Sequence, residues 1–170
     1  MCLLSHVLTH TLTGIKVFVL ALSNGFMRDW HIYRGKQDPL RGNNYVYRLI
    51  NDTLLADDVW NFRNVTVFCD AYFTSIKLFR HLWNERGIGA VGPINACKPK
   101  KNAGADSWPI QQFKPADAKY LPRGWDRTAF AKLERNNGCM QAITWLDNKF
   151  VKILSTMYIT NGKETVLRYT

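Results

Sequence analysis

The run Gly14 to Leu22 reads GIKVFVLAL, and it limits the folds open to this chain more than any other stretch. Its one charged residue is Lys16, and beyond it apolar residues do not alternate with polar ones. A strand with one wet face alternates, so an unbroken run predicts a strand buried on both faces. Such a strand needs material above and below it. Ser23-Asn24-Gly25 follows as a turn signal. Phe26 to Tyr33 then alternates loosely, and the two segments together predict a hairpin.

The covering layer is legible further on. Gly35 to Asn44 is rich in Gly, Asn, Lys and Arg and reads as a loop. Tyr45, Val46, Leu49, Ile50 and Leu54 have helical spacing, which predicts a helix over Tyr45 to Ala56. Val65 to Cys69 (VTVFC) is a short apolar strand that ends at Asp70. Thr74-Ser75 offers an N-cap, Ile76, Phe79, Leu82 and Trp83 continue as a helix, and Gly87 stops it. Ile88 to Ile94 is the next strand. Strands alternating with helices predict an α/β fold, a mixed sheet covered by helices.

From Asn95 the character changes. Lys98, Lys100 and Lys101 sit among Pro, Gly and Ala, as in an exposed basic loop. After Leu121-Pro122-Arg123-Gly124 come three expected strands, Thr128 to Arg135, Cys139 to Leu146 and Lys149 to Thr156. Asn137-Gly138 and Asp147-Asn148 supply the turns. This β-rich end reads as an insertion or subdomain apart from the first sheet. No segment repeats.

A chain of 170 residues suits one domain, and 46% hydrophobic with 21% charged residues is a globular composition, not a disordered one. The net charge of +10 favours a polyanionic partner, nucleic acid before an anionic membrane surface. A basic protein with no such partner is the plain alternative. Val17 to Leu22 is too short to span a membrane, and no membrane partner is expected. The four cysteines, Cys2, Cys69, Cys97 and Cys139, form no CxxC pair, which argues against a zinc knuckle. Nothing marks the chain as secreted, so they read as free thiols in a reducing compartment. His6 and His10 have helical ligand spacing but lack a third ligand, and read as coincidence.

Asp70 is the position where chemistry can gather. Ligands of open α/β sheets collect at the carboxyl ends of strands. A carboxylate there must meet solvent, a hydrogen-bond donor or a metal. The alternative is structural: an Asp that starts the turn before a helix and bonds local backbone. Residue pattern alone leaves both open.

The stretch Val67-Phe68-Cys69-Asp70-Ala71-Tyr72-Phe73-Thr74-Ser75 resembles the motif around the second catalytic Asp of piggyBac-type transposases. Gly14-Ile15-Lys16-Val17 and Ile32-Tyr33-Arg34-Gly35-Lys36 are similar to that family's first strands and its tyrosine-x-glycine-lysine segment. Leu78 through Gly92 resembles its following helix and strand. Leu121-Pro122-Arg123-Gly124 and Trp145-Leu146-Asp147-Asn148-Lys149 resemble its β-rich insertion. The resemblance runs from about residue 14 to residue 170. It implies residues 14–97 as part of an RNase H-like core, residues 98–170 as basic loop and insertion, and residues 1–13 as a segment with no counterpart. It also implies three acidic residues holding two divalent metals, normally Mg²⁺, with strand cleavage by water and then attack of a 3′-hydroxyl on target DNA. Two metals stabilise the attacking and leaving oxygens of such a displacement, and carboxylates are the hard ligands Mg²⁺ prefers. Asp70 takes the role of second acid and metal ligand. DNA is the implied partner, through transposon ends or without sequence preference. The nucleus is the implied compartment, and the family's dimerisation implies an oligomer.

The same resemblance marks departures. The family's first acid closes a segment like VLADS; here Val19-Leu20-Ala21-Leu22-Ser23 puts Leu22 in that place. Loss of one metal-binding carboxylate lowers the rate by roughly a thousandfold or more, at about 1.36 kcal/mol per tenfold. Asp29 on the next strand is the candidate substitute. The third acid follows the family's insertion in a Gly-Gly-Val-Asp stretch that is not met before Thr170; Asp126 and Asp147 belong to the insertion itself. Lys98, Lys100 and Lys101, with Arg123, Arg127 and Lys132, are the candidate phosphate contacts, which position DNA without reading its sequence. The expected protein is an inactive piece of a transposase catalytic domain that retains DNA binding. The alternative is a domesticated nuclear DNA-binding or interaction module without metal chemistry.

Overall fold

Eight strands form one mixed sheet in the computed structural model, which describes residues 2–7, 15–41, 43–54, 65–94 and 120–157. The strands are β1 (Cys2–Val7), β2 (Val17–Leu22), β3 (Met27–Ile32), β4 (Thr66–Cys69), β5 (Gly89–Pro93), β6 (Asp126–Lys132), β7 (Cys139–Leu146) and β8 (Phe150–Ser155). Among the described residues two α-helices accompany them, α1 (Asn44–Leu54) and α2 (Ile76–Arg86). The spatial order is β3-β2-β1-β4-β5-β8-β7-β6. The pairs β1–β4 and β4–β5 are parallel, and the remaining neighbours are antiparallel. A parallel pair needs a long crossover, which α2 supplies between β4 and β5.

Phe18, Val19 and Leu20 are buried at the centre of β2, so successive side chains are covered on both faces, as the apolar run requires. Tyr45, Val46, Leu49 and Ile50 form the buried stripe of α1, which packs on β2 and β3. Helix α2 buries Ile76, Leu78, Phe79 and Leu82 and packs on β5. Its ends close as the sequence predicts. Ser75 Oγ accepts from Leu78 N at 3.2 Å, and Gly87 takes the left-handed conformation (φ 66°) with its N–H donating to Trp83 O at 2.9 Å. The helices are neighbours: the Tyr47 and His81 rings meet at 4.6 Å, and Asn43 Nδ2 donates to Ser75 Oγ at 3.1 Å.

The sheet differs from the sequence reading in two ways. Residues 2–7, in a segment for which the resemblance gave no counterpart and in which no strand was expected, form β1 and stand between β2 and β4. A strand there pairs on both sides, satisfying interior edges of β2 and β4 that would otherwise be open. The β-rich end does form three strands, but it extends the first sheet and is not set apart from it. The outer edge of β5 is covered by β8, with Val91 opposite Ser155 and Pro93 opposite Ile153. The ladder is continued by Ile94 N to Lys152 O and Thr156 N to Ala90 O, both 2.9 Å.

Gly92 of β5 lies against the carboxyl end of β4. A β-carbon added there would stand 2.6 Å from the Cys69 carbonyl oxygen and press on the Thr74 hydroxyl. The carbonyl is backbone and cannot swing aside. Gly92→Ala is therefore expected to lower stability by about 1–3 kcal/mol as overpacking does. Phe79→Ala, at a wholly buried ring, is expected to lower it by about 3–5 kcal/mol. Urea unfolding followed by tryptophan fluorescence measures both.

Candidate functional site

Asp70 leaves β4 at its carboxyl end, and the chain turns sharply before α2. The turn is held by Asp70 itself. Its backbone oxygen accepts from Phe73 N, Thr74 N and the Thr74 hydroxyl, each at 3.0 Å. Its Oδ1 accepts from Tyr72 N at 2.8 Å, the local turn expected of an Asp before a helix. The residue is nevertheless exposed at the strand end. The turn role left open by the sequence is the one these bonds show. Preceding it, Cys69 is buried, and burial, with the Asp70 charge second, pushes its thiol up to about 12. Cys69 stays protonated near neutral pH and is neither nucleophile nor thiolate ligand there.

Beside this turn opens a cleft of about 220 Å³ lined by Tyr33, Gly35, Lys36, Leu40, Arg41, Tyr45 and Tyr72. Tyr45 is its buried member, while Tyr33 and Tyr72 are 36% and 51% exposed. Lys16 Nζ stands 4.4 Å from the Tyr72 ring centre, 5.0 Å from that of Phe18 and 5.3 Å from that of Tyr33. Each is within cation–π reach. Burial first, and the Asp38 carboxylate second, push the Tyr45 hydroxyl up to about 12, so it remains a neutral donor.

The cleft wall is tied down by Asp38, which sequence reading passed over as loop. Its carboxylate accepts from Arg34 N and Leu40 N, each at 2.9 Å, and lies 2.9 Å from His31 Nε2. A carboxylate only accepts, so that histidine nitrogen carries the proton. Burial alone would raise the Asp38 carboxyl; the two amides and His31 outweigh it and hold it down at about 2 from an ordinary 3.8. The available signal was Asp38-Pro39, a turn-initiating pair.

The other expected site residues are not brought to Asp70. Asp29 is level with Cys69 along the ladders but three strands away, about 14 Å at a spacing of about 4.8 Å. It is 3.7 Å from Arg48 NH2 of α1 and accepts from Trp30 N at 2.7 Å. Asp29 is thus part of an ion pair on the outer hairpin, which removes it as a stand-in beside Asp70. Leu22 packs against the core edge. It pairs with Cys2, which pairs with Val67, so Leu22 lies two strands across and three residues back from Asp70, about 14 Å. The adjacency expected of a first and a second acid does not occur, because β1 intervenes and β2 runs antiparallel to it. Among the described residues, no three histidines, cysteines, aspartates or glutamates gather as a cation site. The described residues do not fit a pair of Mg²⁺ ions at Asp70.

Of the expected phosphate contacts, Lys98, Lys100 and Lys101 lie outside the described residues. Arg123 is paired with Asp147, with Nε to Oδ1 at 2.7 Å. Arg127 and Lys132 are exposed on β6. They are five residues apart and so point to opposite faces of that strand. Arg127 also stands 5.9 Å from the Trp125 ring centre. Among the described residues, Arg127 and Lys132 do not share a face, whereas Lys36 and Arg41 line the cleft and Lys16 stands over its Tyr33 and Tyr72 rings. The sequence signal for them was Ile32-Tyr33-Arg34-Gly35-Lys36 taken with Tyr72.

The family model for transposase IS4, a DDE transposase family, matches residues 7–168. The chain belongs to this transposase family. Its fold is that of the piggyBac transposase in a synaptic complex with hairpin DNA, solved by cryo-electron microscopy, with a TM-score of 0.63 at 18% identity. That match covers 96% of this chain and 34% of the other, so this transposase chain spans about a third of the solved one. Among curated proteins none matches the sequence. The mixed α/β fold and the piggyBac-type recognition drawn from the motif around Asp70 both hold. They rest on family and fold, not on an assembled acidic site.

The Asp38 anchor gives this transposase domain a signature in acid. Its folded pKa is depressed, so its contribution is complete above the ordinary carboxylate range and is lost as pH falls from about 4 through about 2. The urea midpoint is expected to drop across that interval, and Asp38→Asn to lower it at neutral pH and flatten the drop. An equally steep acid dependence in the Asn variant would refute the anchor.

Proposed function

We propose that this chain is a transposase catalytic-domain module that binds DNA and does not cut it by itself. The observation that carries the reading is Asp70, exposed at the end of β4 with Leu22 and Asp29 each about 14 Å away by ladder geometry. Two-metal displacement needs carboxylates that share the ions, and one carboxylate does not clamp both oxygens of the reaction. Family membership and the first five strands, ordered 3-2-1-4-5, support descent from an RNase H-like nuclease. The +10 charge supports DNA as partner and phosphate contact as the main source of affinity, and the nucleus as compartment follows only from that proposed partner. The same charge favours a second reading, a domesticated DNA-binding module in which Asp70 is only a turn residue.

Purified protein incubated with hairpin and nicked transposon-end DNA in Mg²⁺ or Mn²⁺ is expected to leave the DNA intact. Metal-dependent cleavage that disappears in Asp70→Ala would overturn the inactive reading. Asp70→Ala that leaves salt-dependent binding unchanged supports the second reading.

Binding should weaken with salt, with log K falling by about 0.9 per phosphate contact for each unit of log salt. Lys132→Ala is expected to reduce that slope by about 0.9. Arg123→Ala should change it less, because Asp147 already holds that guanidinium. Equal effects of the two substitutions would contradict the assignment.

A further inference from the structure

We propose that β3 is a strand-pairing edge for a second copy of this chain, and that Arg48 holds it shut. Position is the first argument. β3 ends the sheet, and among the described residues no strand pairs with its outer side. An open edge presents N–H and C=O groups that another strand can take up. Its sequence, MRDWHI, has no proline to blunt it, and Met27, Trp30 and Ile32 are exposed.

The ladder tells which backbone groups point outward. Tyr33 N donates to Lys16 O at 2.9 Å, so Lys16 and Tyr33 are a hydrogen-bonded pair. Bonded and non-bonded pairs alternate in an antiparallel ladder, so Phe18–His31 and Leu20–Asp29 are bonded and Val19–Trp30 is not. The N–H and C=O of Trp30 therefore point away from β2, toward the open edge. Both are occupied, and by side chains. Trp30 N donates to Asp29 Oδ1 at 2.7 Å, and Arg48 Nη1 donates to Trp30 O at 3.1 Å. Arg48 Nη2 is 3.7 Å from Asp29 Oδ2. One guanidinium from α1 thus holds the outward acceptor and also the carboxylate that covers the outward donor. Its Nε donates to Asp52 Oδ2 at 3.0 Å, which braces it on the helix. A planar fork of donors can do this; a compact ammonium cannot.

The occupant that fits this edge is the same edge of a second copy. Antiparallel pairing about a two-fold axis at Trp30 puts the two Trp30 residues opposite each other. They then exchange the two bonds now given to Asp29 and Arg48. The same register sets Asp29 of one copy opposite His31 of the other, and Arg28 opposite Ile32, so no like charges meet. Asp29 and His31 face α1, where one meets Arg48 and the other the Tyr45 ring. The Trp30 rings lie on the other face and would pack across the axis. Each copy has one β3, so pairing closes at two.

Sedimentation equilibrium over a concentration series tests this with the full chain. Arg48→Ala is expected to rise with concentration to about twice the wild-type mass. Asp52→Ala removes only the pair along the helix and should match wild type. Lys77→Ala, at an exposed position on α2, lowers the net charge equally and should also match wild type. Hydrogen exchange read by mass spectrometry should show residues 27–32 becoming protected with concentration in Arg48→Ala and not in wild type. A folded Arg48→Ala with the wild-type mass overturns the proposal. So do association without protection of residues 27–32, species that grow past two copies, an equal rise in Lys77→Ala, and concentration-dependent protection of residues 27–32 in wild type. Circular dichroism checks that each variant is folded. If Arg48→Ala does not fold, Arg48→Lys takes its place: it keeps the charge, loses the fork and should pair, and a wild-type mass there overturns the proposal.

Discussion

The turn between β4 and α2 is the constraint on which the rest of the site depends. One residue, Asp70, closes it with both backbone and side chain, accepting from Tyr72, Phe73 and Thr74. That closure fixes three things together. It starts α2 in register with its Ser75 cap, it leaves Asp70 exposed at a strand end, and it sets Tyr72 into the cleft. Gly92 lets β5 come close enough to hold the turn from behind. Short hydrogen bonds to backbone are weak singly, but several on one residue leave it a single conformation.

A second anchor acts on the opposite wall. Asp38 gathers two amides and a histidine, and so orders residues 34–40 without a strand or a long helix. A buried carboxylate is stable only with such donors, which is why one Asp can organise a polar loop. Charge at the surface is arranged differently. Arg48 with Asp29 and Asp52, and Arg123 with Asp147, are ion pairs of exposed or half-exposed groups that salt weakens. They orient side chains more than they stabilise the fold. What remains for a polyanion is the excess positive charge, and in the described residues the cleft concentrates part of it among aromatic rings.

Much of the local architecture was legible beforehand. The apolar run ending at Leu22, the turn at Ser23-Asn24-Gly25, the α1 stripe and both caps of α2 occur where the residues place them. Strand β7 has the expected bounds, and β6 begins two residues earlier than expected. The candidate site was half legible. Asp70 stands at a strand end in a motif that pointed to the correct family. Asp38, Lys36 and Arg41 carry no periodic signal, because they lie in an irregular loop where Asp38 bonds residues two to seven positions away. The distances of Leu22 and Asp29 from Asp70 follow from strand order, which the residue pattern does not give.

By itself the sequence determined both helices, the strands from β2 onward to within a few residues, and the family, but it did not mark Cys2–Val7 as a strand. Those properties depend on side-chain periodicity, caps and turn residues, all set by neighbours a few positions away. Only the tertiary structure decided that β1 divides β2 from β4, that the β-rich end continues the same sheet, and that Tyr33 meets Tyr72 across a cleft. Strand order and side-chain convergence arise from which edges find partners, a competition among segments far apart along the chain that no local pattern records.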